Sequence, residues 1–392
     1  MRGVLCLGLF LATAALGATW QPGSLEIPTL DMSVSLGGGQ PLGVGNDGEV
    51  FVVFQDFVND TTLRVGSLVR AADGEWMSAE ILSGDRNARN PSVSVGQDSR
   101  AHVVWEDITD GEGDIVYRAR GADGVWGEAI SIAPAPGASR DPVLAVDAFE
   151  RVHAVWVDAR SGLPQILHSV LPPDGPWAAP EVISVGGDNP DEPSVAADAV
   201  GGVHIVWRDR VGSVRTGISY DIFYLRIEGM EPPPAPLRLI NHVSIAQWPA
   251  IAATDDGVLH LVWADNRDAQ RGTFFEIYYK RFLPGIGWGH DKRFTRDNHD
   301  HSRPVVAVGA GATVNVAWED FGDGNSEIYF RQITPEFGWD QTATRLSLDV
   351  SSSQTPALRS LPDGSMLALW TDARGFGDFR LLAKSGATLA PQ

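Results

Sequence analysis

Asp141 and Glu192 are carboxylates that each stand immediately before a proline, and Gln40, Asn90, Trp248, Arg303 and Thr355 hold the same position before five others. Just upstream lie Arg89, Arg140, Asp191, Gln247 and Ser302. Amides and carboxylates make directed hydrogen bonds, and arginine grips a carboxylate through a two-pronged donor. An indole offers a flat face for a sugar ring or an apolar side chain. Brought together, Asn90, Arg89, Asp141, Arg140, Glu192, Trp248 and Arg303 would form a binding surface of mixed charge. The bland alternatives are solvated loop tips and, for Trp248, an indole packed into a channel as a plug. A carboxylate pair such as Asp141 and Glu192 is also what glycoside hydrolysis needs, whereas a lyase would use a Tyr or His with an Arg to neutralise a uronate. No catalytic signature emerges, so catalytic residues stay unassigned and the chain reads as a scaffold with a site more than as a known enzyme.

Metal chemistry has two weaker openings. Residues 296–303 hold His299 and His301 among acids, and imidazole with carboxylate can ligate zinc or another transition metal. Three well-spaced ligands are not evident, and a solvated polar loop is the expectation. Asp107, Asp110 and Asp114 surround an Asp-Gly turn that could offer oxygens to calcium, but they lack the full calcium-loop spacing. Turn capping and arginine pairing account for them better. No cofactor is expected, and calcium is the cation kept open. His102, His153, His204 and His260 share a slot that elsewhere holds Asn315, Phe51 and Leu367, so that slot is structural. Arg160, Arg210, Arg267 and Arg374 follow a repeated Asp and could hold a ligand carboxylate, with a salt bridge to that Asp as the competing role.

The elements that must position these groups come from repetition. Opening prolines at 41, 91, 142, 193, 249, 304 and 356 give spacings of 50, 51, 51, 56, 55 and 52 residues, in the range of propeller repeats. Each copy has a run of small and apolar residues, then a turn, then a run ending in Trp-x-Asp such as residues 101–107. A third run starts at an acid or amide and continues with aromatics, as in residues 114–117 or 276–279, and a fourth follows a Gly turn and a Trp, as in residues 124–132. Such β-branched and aromatic density favours strands, and four strands per copy make a blade. The fold expected is all-β, a seven-bladed propeller with four antiparallel strands per blade.

The last copy stops after its third run, near residues 379–383, and the missing fourth piece resembles residues 20–27. That N-terminal strand is expected to complete the last blade and close the ring. The tryptophans agree: Trp20, Trp76, Trp126, Trp177, Trp288 and Trp339 fill the fourth-strand slot, and Trp105, Trp156, Trp207, Trp263, Trp318 and Trp370 the second. Of the thirteen only Trp248 is left over. Blade four lacks its outer Trp and has a proline-rich turn at residues 232–236 instead.

The repeat fills almost all of the 392 residues, so residues 19–392 are read as one domain. Residues 1–18, with Arg2 and the apolar run 4–16, read as a secretory signal that is too short for a membrane span. Its removal takes away the single cysteine, leaving neither disulfide nor thiol nucleophile. The mature charge is 29 basic minus 50 acidic residues, or −21. Nucleic acid is therefore an unfavourable partner. A secreted or periplasmic bacterial protein, monomeric and without membrane insertion, is expected, with a glycan or protein as ligand.

The turns at residues 73–76, 123–126 and 174–177, each Asp-Gly-x-Trp, resemble a shortened Asp box of bacterial neuraminidase repeats. The wider pattern is similar to that of exported sialidase-like propellers over about 360 residues. That resemblance implies fold and export. The family box is longer and begins with Ser or Thr, sialidases have six blades, and the Arg-Ile-Pro motif is absent here, so the family's catalytic residues have no numbered counterparts. Hydrolase activity follows by analogy alone. Three functional classes stay open: a binding propeller, a carbohydrate-active enzyme (glycoside hydrolase or polysaccharide lyase), and a structural surface or assembly protein.

Overall fold

The computed structural model describes residues 19–27, 34–59, 61–133, 138–185, 188–213, 217–229, 233–268, 274–297, 299–333, 342–373 and 379–387. The leader read in residues 1–18, together with Asn298, Trp339 and Arg374, lies outside them. The described chain forms seven antiparallel sheets in sequence order, and its sole helical element is the single turn Ala310–Ala312.

Blade three shows the pattern: Ser139–Val146, Val152–Asp158, Gln165–Leu171 and Glu181–Val182 pair in sequence order. The outer strands are shorter than the sequence suggests. Glu80–Ile81, Ile130–Ser131, Leu237–Arg238 and Thr344–Arg345 pair over two residues each. In blades one and two the Trp ahead of the outer strand belongs to the turn. Trp76 and Trp126 form isolated bridges to Arg70 and Arg120, closing turns in which Asp73 and Asp123 accept the N–H two residues on. Short edges of this kind resist pairing with foreign strands.

The second strands carry the core. Trp105, Trp156, Trp207, Trp263, Trp318 and Trp370 are among the largest fully buried side chains, and every residue of Ala101–Asp107, Val152–Asp158, Leu259–Asp265 and Val314–Asp320 is buried. A strand covered on both faces by neighbouring blades reads as a continuous apolar run, which is why simple alternation is weak here. The outer Trp works between blades. Trp177 meets Tyr117 edge-on at 5.1 Å and Trp288 meets Tyr224 at 5.1 Å, each reaching the third strand of the preceding blade.

In the seventh sheet the outer position is taken by Thr19–Trp20 and Leu25–Glu26, which pair with Phe379–Ala387. Trp20 meets Phe330 of blade six at 4.9 Å and 78°, the contact that Trp177 and Trp288 make elsewhere. Gly386 lies beneath it, and a Cβ there would come within 2.7 Å of the indole.

Candidate functional site

The seven first strands surround a cavity of about 900 Å³. Its walls are mostly Val, Ala, Leu and Ile, with Ser94, Ser194 and, at the far end, Arg359 among them, and most of the polar groups gather where the strands begin. Gln40, Asn90, Asp141, Glu192, Trp248, Arg303 and Thr355 all line it, so the pre-proline positions meet around one channel. Six of them share a backbone state that sequence reading missed. Asn90, Asp141, Glu192, Trp248, Arg303 and Thr355 have φ of 49, 53, 53, 52, 45 and 50°. Left-handed backbone is uncommon for any residue with a Cβ and unfavourable for a bulky or β-branched one. At each, the ladder to the second strand slips, for example between Arg140 and Val143 or Gln247 and Ala250. The extra residue is a β-bulge, which re-aims a side chain that regular pleating would send elsewhere.

Strain of this kind persists only where partners fix it. Two come from the residue after the second-strand aromatic, Phe54 or Trp318, a slot the sequence reading passed over, and a third from Glu192. The Asn90 N–H donates to Gln55 Oε1 at 2.6 Å, and the Thr355 N–H to Glu319 Oε1 at 2.7 Å. The Trp248 N–H donates to Glu192 Oε2 at 2.6 Å. Glu106 accepts from Arg89 at 2.6 Å and from the Asn90 amide at 3.3 Å, and that amide also reaches Asp141 at 2.8 Å. Arg140 then bridges Asp141 and Asp191, both at 2.5 Å. Arg208 lies 3.2 Å from Asp191 and 3.3 Å from Glu192, with its guanidinium over Tyr220 at 5.0 Å. Arg303 sits over the Trp248 ring at 5.9 Å and pairs with Glu319 at 3.2 Å. A chain of ion pairs, hydrogen bonds and one cation–ring contact thus runs round the mouth from Arg89 to Thr355. Glu106, Arg208 and Glu319 are members of it because their slot varies among repeats while its flanking Trp and Asp recur, a signal present in the sequence.

The carboxylates in this chain are not equivalent. Burial pushes Glu192 up to about 7, reinforced by Asp191 and Asp141 and opposed by Arg208 and the Trp248 N–H. Its side chain is still 23% exposed to the channel. Burial also pushes Asp191 upward, but Arg140 and Arg208 outweigh it and hold that carboxyl below its ordinary value. A neutral acid next to an ionised one near pH 7 is the arrangement from which proton donors are made. Trp248 is half-buried, with one side towards Phe275 at 6.3 Å and Arg303 over its ring, so it is part of the wall as well as of the lumen.

Asp107, Asp110 and Asp114 do not converge. Asp107 is bound by Arg86 and the Thr109 N–H, Asp110 reaches Arg86 at 3.2 Å, and Asp114 accepts from Ser131 at 2.6 Å. Arg160 and Arg267 pair with Asp158 and Asp265 at 2.5 Å, and Arg210 lies 3.5 Å from Asp188, all salt bridges. His102, His204 and His260 are buried against Tyr117, Tyr224 and Tyr279 hydroxyls, and His153 against His168. The solvated loop expected at residues 296–303 is a correction: His301 is completely buried, because it begins a first strand and packs against Phe275 of the preceding blade.

No protein-family model matches the chain, and no curated protein matches it. Solved structures share its fold. An ulvan lyase of polysaccharide lyase family PL25 superposes with a TM-score of 0.61 at 10% identity, covering 92% of this chain and 95% of that one. The polysaccharide lyase Uly1 gives 0.58 at 12% identity, covering 95% and 100%. A fungal alcohol oxidase of the AA5 family, solved with copper, gives 0.55 at 12%, covering 95% and 76%. The shared property is the propeller, which carries unlike chemistries in these proteins.

Proposed function

We propose that this protein binds a glycan at the channel mouth, with the Trp248 ring as apolar contact and the Asn90–Asp141–Arg140–Glu192 side as the polar one. The carrying observation is that positions with identical backbone geometry present different groups to one cavity. A site needs different groups aimed at different ligand atoms, whereas packing alone would repeat the same one. Lyases among the fold neighbours fit a sugar ligand. The leader read in residues 1–18 fits an exported protein, and no described helix is long and apolar enough to cross a membrane. The narrower sialidase-like reading rests on the Asp-Gly-x-Trp turns, which lie away from this mouth in the strand order. Binding should be measured on a glycan array with wild type and Trp248→Ala. Equal binding by both, or none by either, removes the stacking role.

A second reading has its own observation. Glu192, held near neutrality beside ionised Asp191, would serve as the proton donor of a carbohydrate-active enzyme, and Tyr220 under Arg208 would suit elimination next to a uronate. Hydrolysis releases a reducing end, while elimination also creates a conjugated double bond seen in the ultraviolet. Glu192→Gln should abolish the first, and Tyr220→Phe the second. Bound glycan that is returned uncleaved by wild type leaves the binding function alone.

A further inference from the structure

We propose that blade six carries a binding site for one divalent transition ion of the zinc type, formed by Asp297, His299, His301 and Asp320. One donor atom from each lies within 4.8 Å of all the others, the one such grouping among the described residues. The close pairs are His299 Nδ1 to Asp320 at 3.2 Å and His301 Nε2 to Asp320 at 3.3 Å. Asp297 completes the set at 3.8 Å from His301 Nε2. Tetrahedral zinc with bonds near 2.0–2.1 Å needs donors about 3.3 Å apart; the His–Asp320 pairs, one to each carboxylate oxygen, are already at that spacing, and the wider separations, up to 4.8 Å, must contract on binding.

Three observations separate this cluster from an ordinary polar loop. First, His301 is 0% exposed and its Nδ1 faces the Phe275 carbonyl at 3.1 Å, which can only accept. Nδ1 therefore carries a proton, and Nε2 is the ring atom aimed into the cluster, as in a metal-bound imidazole whose other nitrogen is fixed by a carbonyl. Second, His301 Nε2 and His299 Nδ1 are buried and their only close polar neighbour in the cluster is the Asp320 carboxylate, at 3.3 and 3.2 Å and without hydrogen-bond geometry, so an ion between them would satisfy all three groups. Third, among the described residues four of the six equivalent aspartates pair with arginine, Asp56 with Arg64, Asp107 with Arg86, Asp158 with Arg160 and Asp265 with Arg267, while Asp209 accepts from the Asn189 N–H and Asp372 from Ser351 and Ser353. Asp320 has two imidazoles where those four have a guanidinium. Gly322 makes the space, since a Cβ there would come within 2.8 Å of the His299 ring. An N/O donor set of this mixture suits zinc better than calcium or magnesium, which prefer oxygen alone.

The site adjoins the channel mouth. Ser302 and Arg303 follow His301 directly and both bind Glu319, the neighbour of Asp320. A bound ion would tie the start of this strand to the end of the next and so steady the bulge that holds Arg303 over Trp248.

The test is calorimetric titration of chelator-stripped full-length protein with zinc chloride, together with thermal melting. One zinc per chain and a raised Tm are expected for wild type. His301→Ala removes a buried group and destabilises the chain for that reason alone, so the deciding variants are His299→Gln and Asp297→Asn, at side chains 34% and 61% exposed. Each should weaken zinc binding by roughly 100-fold or more and remove the zinc-dependent rise in Tm. His242→Ala, at a 51% exposed histidine outside the cluster, should bind zinc as wild type does. No zinc uptake by wild type, undiminished uptake in the two deciding variants, or equal loss in His242→Ala would overturn the assignment. So would a wild-type Tm that zinc leaves unchanged.

Discussion

At Glu192 a single carboxyl connects the backbone of the rim to its chemistry. Its Oε2 accepts the N–H of strained Trp248, and its proton is retained to about pH 7 because burial disfavours the ionised form. Between the ordinary carboxyl value and 7 the unfolded chain has lost this proton while the folded one keeps it, so stability falls as pH rises through that window. Glu192→Gln should therefore be more stable than wild type at about pH 8, by at most about 3 kcal/mol, and no more stable near pH 4. Urea melts at both values check it, and an advantage of equal size at both would show that ionisation is not the cause. Glu319 predicts the reverse outcome. It is buried and accepts from the Thr355 N–H, Ser302 and Arg303. Glu319→Ala strands these donors and should cost about 3 kcal/mol in chemical denaturation.

Among the elements, the two tryptophan slots do different work and should respond differently to truncation. The second-strand Trp105 is enclosed within its blade interface, so Trp105→Ala should cost about 3–5 kcal/mol. Trp177 is a partly buried inter-blade contact, and its replacement by Ala should cost clearly less; equal losses would contradict the assignment of the outer Trp to a peripheral seam. Removal of residues 19–27 uncovers the outer edge of Phe379–Ala387 and takes Trp20 off Phe330. The truncated protein should melt at lower temperature and self-associate, as unpaired edges do. Light scattering with thermal melting reads both effects, and an unaltered monomeric melt would show that these two short pairings contribute nothing.

For the whole molecule, burial sets the response to acid. It lowers His102 and His260 to about 4 and His168 to about 3, so the folded state keeps them neutral while the unfolded chain protonates near 6.5. Their contribution is complete above 6.5 and is lost as pH falls from there toward 4, where the unfolded state binds more protons. Tm should drop markedly between about pH 7 and about pH 5, before most carboxylates titrate. A flat profile across that interval would mean that these histidines titrate alike in both states.

How much could be read without coordinates differs between scaffold and site. The opening prolines, the Trp-x-Asp endings and the two Trp slots specify seven similar sheets, because each copy needs neighbours on both faces to bury its apolar residues. They also put the pre-proline residues at one mouth. Which groups join them was decided in three dimensions: Glu106, Arg208 and Glu319 come from the second strands, and the left-handed bulge at Asn90, Asp141, Glu192, Trp248, Arg303 and Thr355 turns neighbours in space into partners. The His301 environment was likewise hidden, since a histidine next to Asp and Ser reads as solvated until Phe275 of another blade is seen to cover it. Repetition writes local structure into a chain, but the pairing of unlike side chains across blade boundaries depends on distances that only the closed packing of sheets creates.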